Sequence, residues 1–264
     1  MTRSKSLFVV DGESIVATEF SRGPWDPGSC HGGPVAALLA WTCERIDGVE
    51  AQPWHLGRIT VELVRPVPVL QPLFVTAEIE RPGRRVSLVG ARLTLESGKE
   101  VARARALRIR RSDVALPAEY ELEPPFGEPG VGTVEQSPFS VGHIAFHNSV
   151  DLRFARGSWS SGQISLWCRL RYPVIPGEEP SGAQRAVATA DFSNGVSAEL
   201  DSREFTFINP DLSVHLVREP QGEWIGMQAR SHYGPEGAGL AEGALFDSVG
   251  RCGRSTQSLM ITRR

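Results

Sequence analysis

The chain is 264 residues long, 41% hydrophobic, and carries a formal net charge of −3 at pH 7. That is enough apolar material for one large or two small domains, and the acidic balance excludes a general nucleic-acid binder, which needs a basic surface. The N-terminal MTRSKSLFVV lacks the apolar core and cleavage site of a signal peptide, and no apolar run approaches the roughly 20 residues of a membrane span, so a soluble, cytoplasmic protein is expected.

Two short strand candidates, SLFVV and SIVATEF, open the chain. Cys30, His31, Gly32 and Gly33 then lead into a helix expected over 33–47, almost wholly apolar from Val35 on. No Ser, Thr or Asp stands as its cap, so its first N–H groups are expected to be open, and an open helix N-terminus is a place for negative charge. RITVELVR at 58–65 follows, with strands over about 73–80, 86–96 and 100–110 separated by turn signals at RPGRR and ESGKE. Val75, Ala77 and Ile79 alternate with Thr76, Glu78 and Glu80, the period of a half-buried antiparallel strand. Residues 112–140, rich in Pro, Glu and Gly, read as a surface linker. Beyond it come VDLRFA and ISLWCRLRY, a second helix over about 182–193, DLSVHLVR at 211–218, and strands over about 223–231, 238–246 and 252–262.

This order is a repeat. Val61, Leu63, Val64 and Arg65 recur as Val214, Leu216, Val217 and Arg218, and the interval from Arg65 to Arg111 equals that from Arg218 to Arg264. Three units are expected: a first repeat at 1–111, the linker at 112–140 and a second repeat at 141–264. A helix apolar on all sides must be surrounded, and a curved antiparallel sheet wrapped round it is the economical solution. Ala102, Ala104 and Ala106 would face that helix, with Arg103 and Arg105 on the other side. Cys30, Cys43, Cys168 and Cys252 are too scattered for a disulfide framework or a zinc knuckle. His143 and His147 lack the intervening acid of a metalloprotease helix, so no metal site is expected.

HGGPVAALLA at the first helix, the strand meander and its repetition resemble the double hotdog fold, an α+β architecture. Within it the chain is similar to the acyl-CoA thioesterase II group, on ATADF in the second helix, INPDLSVHLVREP at the following strand and RSTQSLMI on the last. The resemblance spans nearly the whole chain, least clearly in the linker. It implies hydrolysis of a fatty acyl-CoA to free acid and CoA, with no cofactor. In that family a helix Asp, a Thr or Asn at the start of a strand and a Gln on the final strand hold the hydrolytic water. Carried over, these are Asp191, Asn209 and Gln257. Thr is commoner than Asn in the family, and the alignment there crosses Pro210. Gly32 and Gly33 match the helix-opening glycines linked with the thioester carbonyl. His31 has three readings left open: lining the acyl pocket, touching the carbonyl, or capping the helix.

The chemistry is coherent on the residues themselves. Thioester hydrolysis needs an oriented water, a proton acceptor and donors for the oxyanion. Asp191 has Val187 and Ala188 as helical neighbours, and a carboxylate that loses solvation is a stronger base. It reads equally as a surface acid at a helix end. Gln257 shares a strand face with Ser255, Leu259 and Ile261 and can both donate and accept; its bland reading is an exposed edge residue. Asn209 before Pro210 also reads as an ordinary turn. AALLAWTC in the first helix offers no acid like Asp191, so one complete site and one dead mirror image are expected. Two rivals stand beside hydrolysis: a non-catalytic acyl-CoA binder, and a hydratase or dehydratase, whose D-x-N-P-x-H pattern is met here only at Asn209–Pro210. Arg84, Arg85, Arg103 and Arg105 could serve a phosphorylated carrier, CoA or acyl carrier protein, or simply be solvated. A homo-oligomer is left open.

Overall fold

The computed structural model of the chain describes residues 5–46, 54–117, 119–138 and 142–264. In the first half, β1 (Phe8–Asp11) and β2 (Ser14–Ala17) precede helix α1 (Gly32–Arg45) and the strands β3 (Trp54–Glu62), β4 (Pro72–Arg81), β5 (Val86–Leu95) and β6 (Glu100–Arg110). In the second, β7 (Val150–Arg156) and β8 (Ile164–Leu170) precede α2 (Gly182–Ala190), α3 (Ser193–Val196), β9 (Phe205–Ile208), β10 (Asp211–Leu216), β11 (Trp224–Tyr233), β12 (Ala238–Phe246) and β13 (Arg251–Arg263). Residue 47 of the expected first helix, and positions 1, 140 and 141 that bound the expected units, lie outside the described residues.

The strands form one sheet in the order β1-β2-β4-β5-β6-β3-β10-β13-β12-β11-β8-β7, with β9 also paired to β13. Read outward from the central β3–β10 pair, the two sides have the same connectivity. That pair is antiparallel, with Thr60 opposite Ser213 and Ile59 opposite Val214. The fold is α+β, a double hotdog.

Both helices lie on the same side of this sheet. Val35–Ala40 of α1 are buried against strands on which Ala102, Ala104 and Ala106 are buried in turn. The small alanines let the helix approach closely, while Arg103 and Arg105 on the opposite face pair in solvent with Glu62 and Glu80. Pro34 is tolerated because the first turn of a helix has no intrahelical N–H bond to lose. The helices run antiparallel, since Gly32 at the start of α1 abuts Asp191 at the end of α2, and Glu44 near the end of α1 accepts from Ser181 at the start of α2. Each large apolar side chain buried here contributes about 1.5–3 kcal/mol.

The expected helix over 182–193 is two helices. Phe192 N–H bonds the Thr189 carbonyl and Ser193 Oγ donates to the Ala190 carbonyl, local bonds that tighten the turn and end α2 at Asp191. Strand β9 was not expected. With β10 it forms one strand running along β13, bent at Asn209–Pro210, where proline has no N–H for the ladder. The segment between the halves packs over the second: Phe126 lies 4.8 Å from Trp167 and 5.3 Å from Phe246, ring centre to ring centre.

Candidate active site

The end of α2, the start of α1, the β9–β10 bend and β13 converge on one carboxylate. Asp191 is the C-cap of α2, and its side chain is only 3% exposed. Asn209 Nδ2 donates to its Oδ1 at 2.8 Å, and Gln257 Nε2 donates to the same oxygen at 3.1 Å. On its other side, Oδ2 lies 2.8 Å from His31 Nδ1. The end of α2 is the negative end of that helix dipole, but the carboxylate faces the positive end of α1, which favours its charge.

Each supporting residue is fixed in turn. Gln257, fully buried on β13, accepts at Oε1 from Asn194 N–H, and that bond aims its amide nitrogen at Asp191. Asn194 donates from Nδ2 to the Phe207 carbonyl. The bend at Asn209 turns its amide inward, where it also reaches the Asp211 carbonyl. His31 packs against both Phe146 and Phe192, each 5.0 Å away by ring centres, and those two rings stack on each other at 5.3 Å. Gly32 is required by closeness: a Cβ there would stand 2.7 Å from Asp191 Oδ2 and 2.8 Å from Oδ1.

This carboxylate opens into a cavity of 440 Å³. Trp25, Leu63, Val67, Trp159 and Ile208 form its apolar walls, and His31, Asp191, Asn194 and Asn209 its polar floor. The volume suits a small-molecule site with a few convergent polar groups. His147, on a short turn at 146–148, also lines it, and burial lowers its pKa, helped by the neighbouring His31 and His143. Among the described residues, no group of three or more His, Cys, Asp or Glu side chains is placed to hold a metal ion, and no helix is long and apolar enough to cross a membrane.

The acyl-CoA thioesterase N-terminal domain profile matches residues 21–109, and the C-terminal domain profile of the same family matches residues 117–261. The chain belongs to the acyl-CoA thioesterase family. It is a thioester hydrolase of the hotdog type. A protein assigned as a thioesterase II from Thermobifida fusca is 14% identical, with a TM-score of 0.74 over 97% of this chain and 95% of that one. A hotdog-fold protein from Alicyclobacillus acidocaldarius is 18% identical, with a TM-score of 0.73 over the same 97% and 95%. The acyl-CoA thioesterase II TesB2 from Mycobacterium marinum is 13% identical, with a TM-score of 0.66 over 97% and 95%. At these identities the likeness is one of fold. No curated protein sequence gives a significant match.

In this thioesterase the expected residues Asp191, Asn209, Gln257, His31, Gly32 and Gly33 meet in one place. Two expectations need correction. The N-terminus of α1 is not left open by the chain: His31 is its N-cap, and Nδ1 accepts from Gly33 N–H at 3.1 Å. Histidine lies outside the usual Ser, Thr, Asp and Asn set, so the cap is not apparent in the sequence. The first helix also has an acid at its far end. Glu44, just beyond AALLAWTC, accepts from Ser181 Oγ at 2.8 Å and Gln184 Nε2 at 2.7 Å, next to the start of α2. By register, the positions matching Asn209 and Gln257 there are Leu56 and Ala106, neither of which has a polar side chain.

The arginine candidates fall away from the cavity. Arg103 and Arg105 are ion-paired on the outer face, and Arg84 and Arg85 are exposed at the β4–β5 turn. Cys30 lines the cavity, but burial pushes its thiol pKa up, which makes it a poor nucleophile. Asn194, His147, Trp25 and Trp159 were not anticipated as site residues. His143 and His147 had been weighed only for metal spacing, and the others carry no local signal.

Proposed function

We propose that the cavity hydrolyses a fatty acyl-CoA to the free acid and CoA, with Asp191 as the general base. The observation that carries this reading is the Asp191 carboxylate itself, buried at the cavity floor and held by Asn209, Gln257 and His31. The two amides engage Oδ1 and His31 engages Oδ2, so one lone pair of Oδ2 is left for a water. The water oxygen bonds to the thioester carbon as its proton passes to Asp191. The carbonyl π pair moves to oxygen, where N–H groups of the first turn of α1 at Gly32 and Gly33 stabilise it. The carbonyl then reforms, the C–S bond breaks, and the proton on Asp191 passes to sulfur. Water and thioester give acid and thiol, with the base restored.

The division into repeats at 1–111 and 141–264 joined by 112–140 belongs to the same reading: the first supplies the oxyanion donors and the second the water-holding side chains. The hydratase reading lacks its acid, because the position it needs is Phe207, buried edge-on to Trp25.

The test is release of free CoA from a panel of acyl-CoAs, short to long, by wild type and Asp191→Ala. Turnover by wild type and a loss of about 10²-fold or more in the variant is the expected result. Equal, slow rates with retained acyl-CoA binding would instead make the protein a binder.

A further inference from the structure

His31 Nδ1 has two neighbours that it cannot serve in one state. Gly33 N–H, at 3.1 Å, needs a lone pair there. Asp191 Oδ2, at 2.8 Å, needs a proton there as long as Asp191 is ionised, since two lone pairs facing each other repel. One ring nitrogen carries either the proton or the lone pair. Ionised Asp191 therefore selects the Nδ1–H form of His31, and Gly33 N–H loses its cap.

We infer that His31 couples the base to the oxyanion site: the proton state that makes Asp191 a base also releases Gly33 N–H toward the thioester oxygen. The release matters because this helix start has few donors. His31 N–H is bound to the Ser21 carbonyl, and Pro34 has no N–H. Gly32 and Gly33 are what remains of the first turn. His31 is thus a positioning residue. The catalytic meaning of this coupling rests on the thioesterase reading; the tautomer itself does not. The other charged and titratable groups on the cavity wall are Arg22, Asp26, Cys30, Arg65 and His147. Burial lowers the pKa of His147, which favours its neutral form, so it adds little positive charge beside His31 near neutral pH.

The test reads the tautomer directly, by ¹⁵N–¹H correlation spectroscopy of the full-length protein labelled in its histidine rings, at about pH 8, where an ordinary histidine is neutral. Wild-type His31 should carry its proton on Nδ1. Asp191→Asn should invert it. Gln257 and Asn209 both donate to the Oδ1 position, so the Asn carbonyl takes that place. Its NH2 then faces Nδ1, which must accept, leaving the proton on Nε2. A wild-type Nε2–H form, or the same form in both proteins, overturns the inference. Asp191→Ala gives the same answer if Asp191→Asn does not fold, since Nδ1 is then left with Gly33 N–H alone. If wild type turns over no thioester, the thioesterase reading fails while the spectra still decide the tautomer.

Discussion

Asp191 Oδ2 stands 2.8 Å from His31 Nδ1, although one residue ends a helix of the second half and the other caps a helix of the first. The contact exists because Gly32, next to His31, has no side chain. Gly32→Ala would place a methyl 2.7 Å from that carboxylate oxygen, and neither helix can retreat without repacking. The expected result is a fall in kcat of about 10²-fold, the scale of an ångström-sized misplacement, with about 1–3 kcal/mol lost on overpacking. CoA release and thermal unfolding of the one variant read both. Full activity with alanine here would mean that the carboxylate does not work where the structure holds it.

Asn209 and Gln257 share one acceptor, Asp191 Oδ1. Alanine at either should lower kcat, and the double variant should lose less than the product of the two, because the residues act on one atom. Stability should separate them. Gln257→Ala leaves the buried Asn194 N–H without its acceptor, at about 1–3 kcal/mol. Asn209 is half-buried, and its loss should cost less. Urea unfolding beside the kinetics checks both.

Glu44 makes the fold sensitive to pH away from the active site. Burial against α2 pushes its carboxyl up from 4.5 to about 7, against the bonds from Gln184 and Ser181 and with a contribution from Glu219. The folded chain thus holds this proton more tightly than the unfolded one. Its contribution is fully present below about pH 4.5 and is lost as pH rises through 7. Glu44→Gln should flatten the stability curve across that window, and above it the variant should exceed wild type by about 1–3 kcal/mol. Unfolding at a series of pH values measures it; parallel curves for the two proteins would contradict it.

The two arginines that mark the repeat have parted in their use. Arg218 binds Asp247, whose side chain is fully buried. Burial alone would raise the Asp247 pKa, but Arg218 and the N–H groups of Gln221 and Val249 outweigh it and hold the pKa below 3.8. That contribution to stability is present above the ordinary carboxylate value and is lost as pH falls through the depressed one. Arg218→Ala should cost about 3–5 kcal/mol by stranding a buried charge. Arg65, on the cavity wall, donates to the exposed carbonyl of Glu100, and Arg65→Ala should change stability by about 0.5 kcal/mol or less. Melting of the two variants side by side is the measurement.

What could be read from the sequence was local and periodic. Alternation in β4, the alanine face of β6 and the all-apolar α1 are set by neighbours a few residues away, and these elements form close to where the pattern placed them. The repeat made the order of strands legible as well. The cap at His31 is local, but histidine is no usual capping residue, so capping stood only as one of three readings; the partners of Glu44 and the tie from Asn194 to Gln257 come from distant segments, which no local pattern reports. Strand β9 escaped for a related reason: it is four residues long, and its pairing with the end of β13 defines it. Asp191, Asn209 and Gln257 were reached through family resemblance, since each has an ordinary structural use where it stands in the chain.

The first half brings the helix start with His31, Gly32 and Gly33, and the second brings the acid and both amides. Activity is therefore a reporter of assembly. Cut within the segment that joins them, neither fragment owns a whole site, and turnover should return only when the two are mixed and the β3–β10 seam closes. The same seam sets a rule for substitutions: one that loosens it will silence the enzyme without touching any residue that meets the substrate.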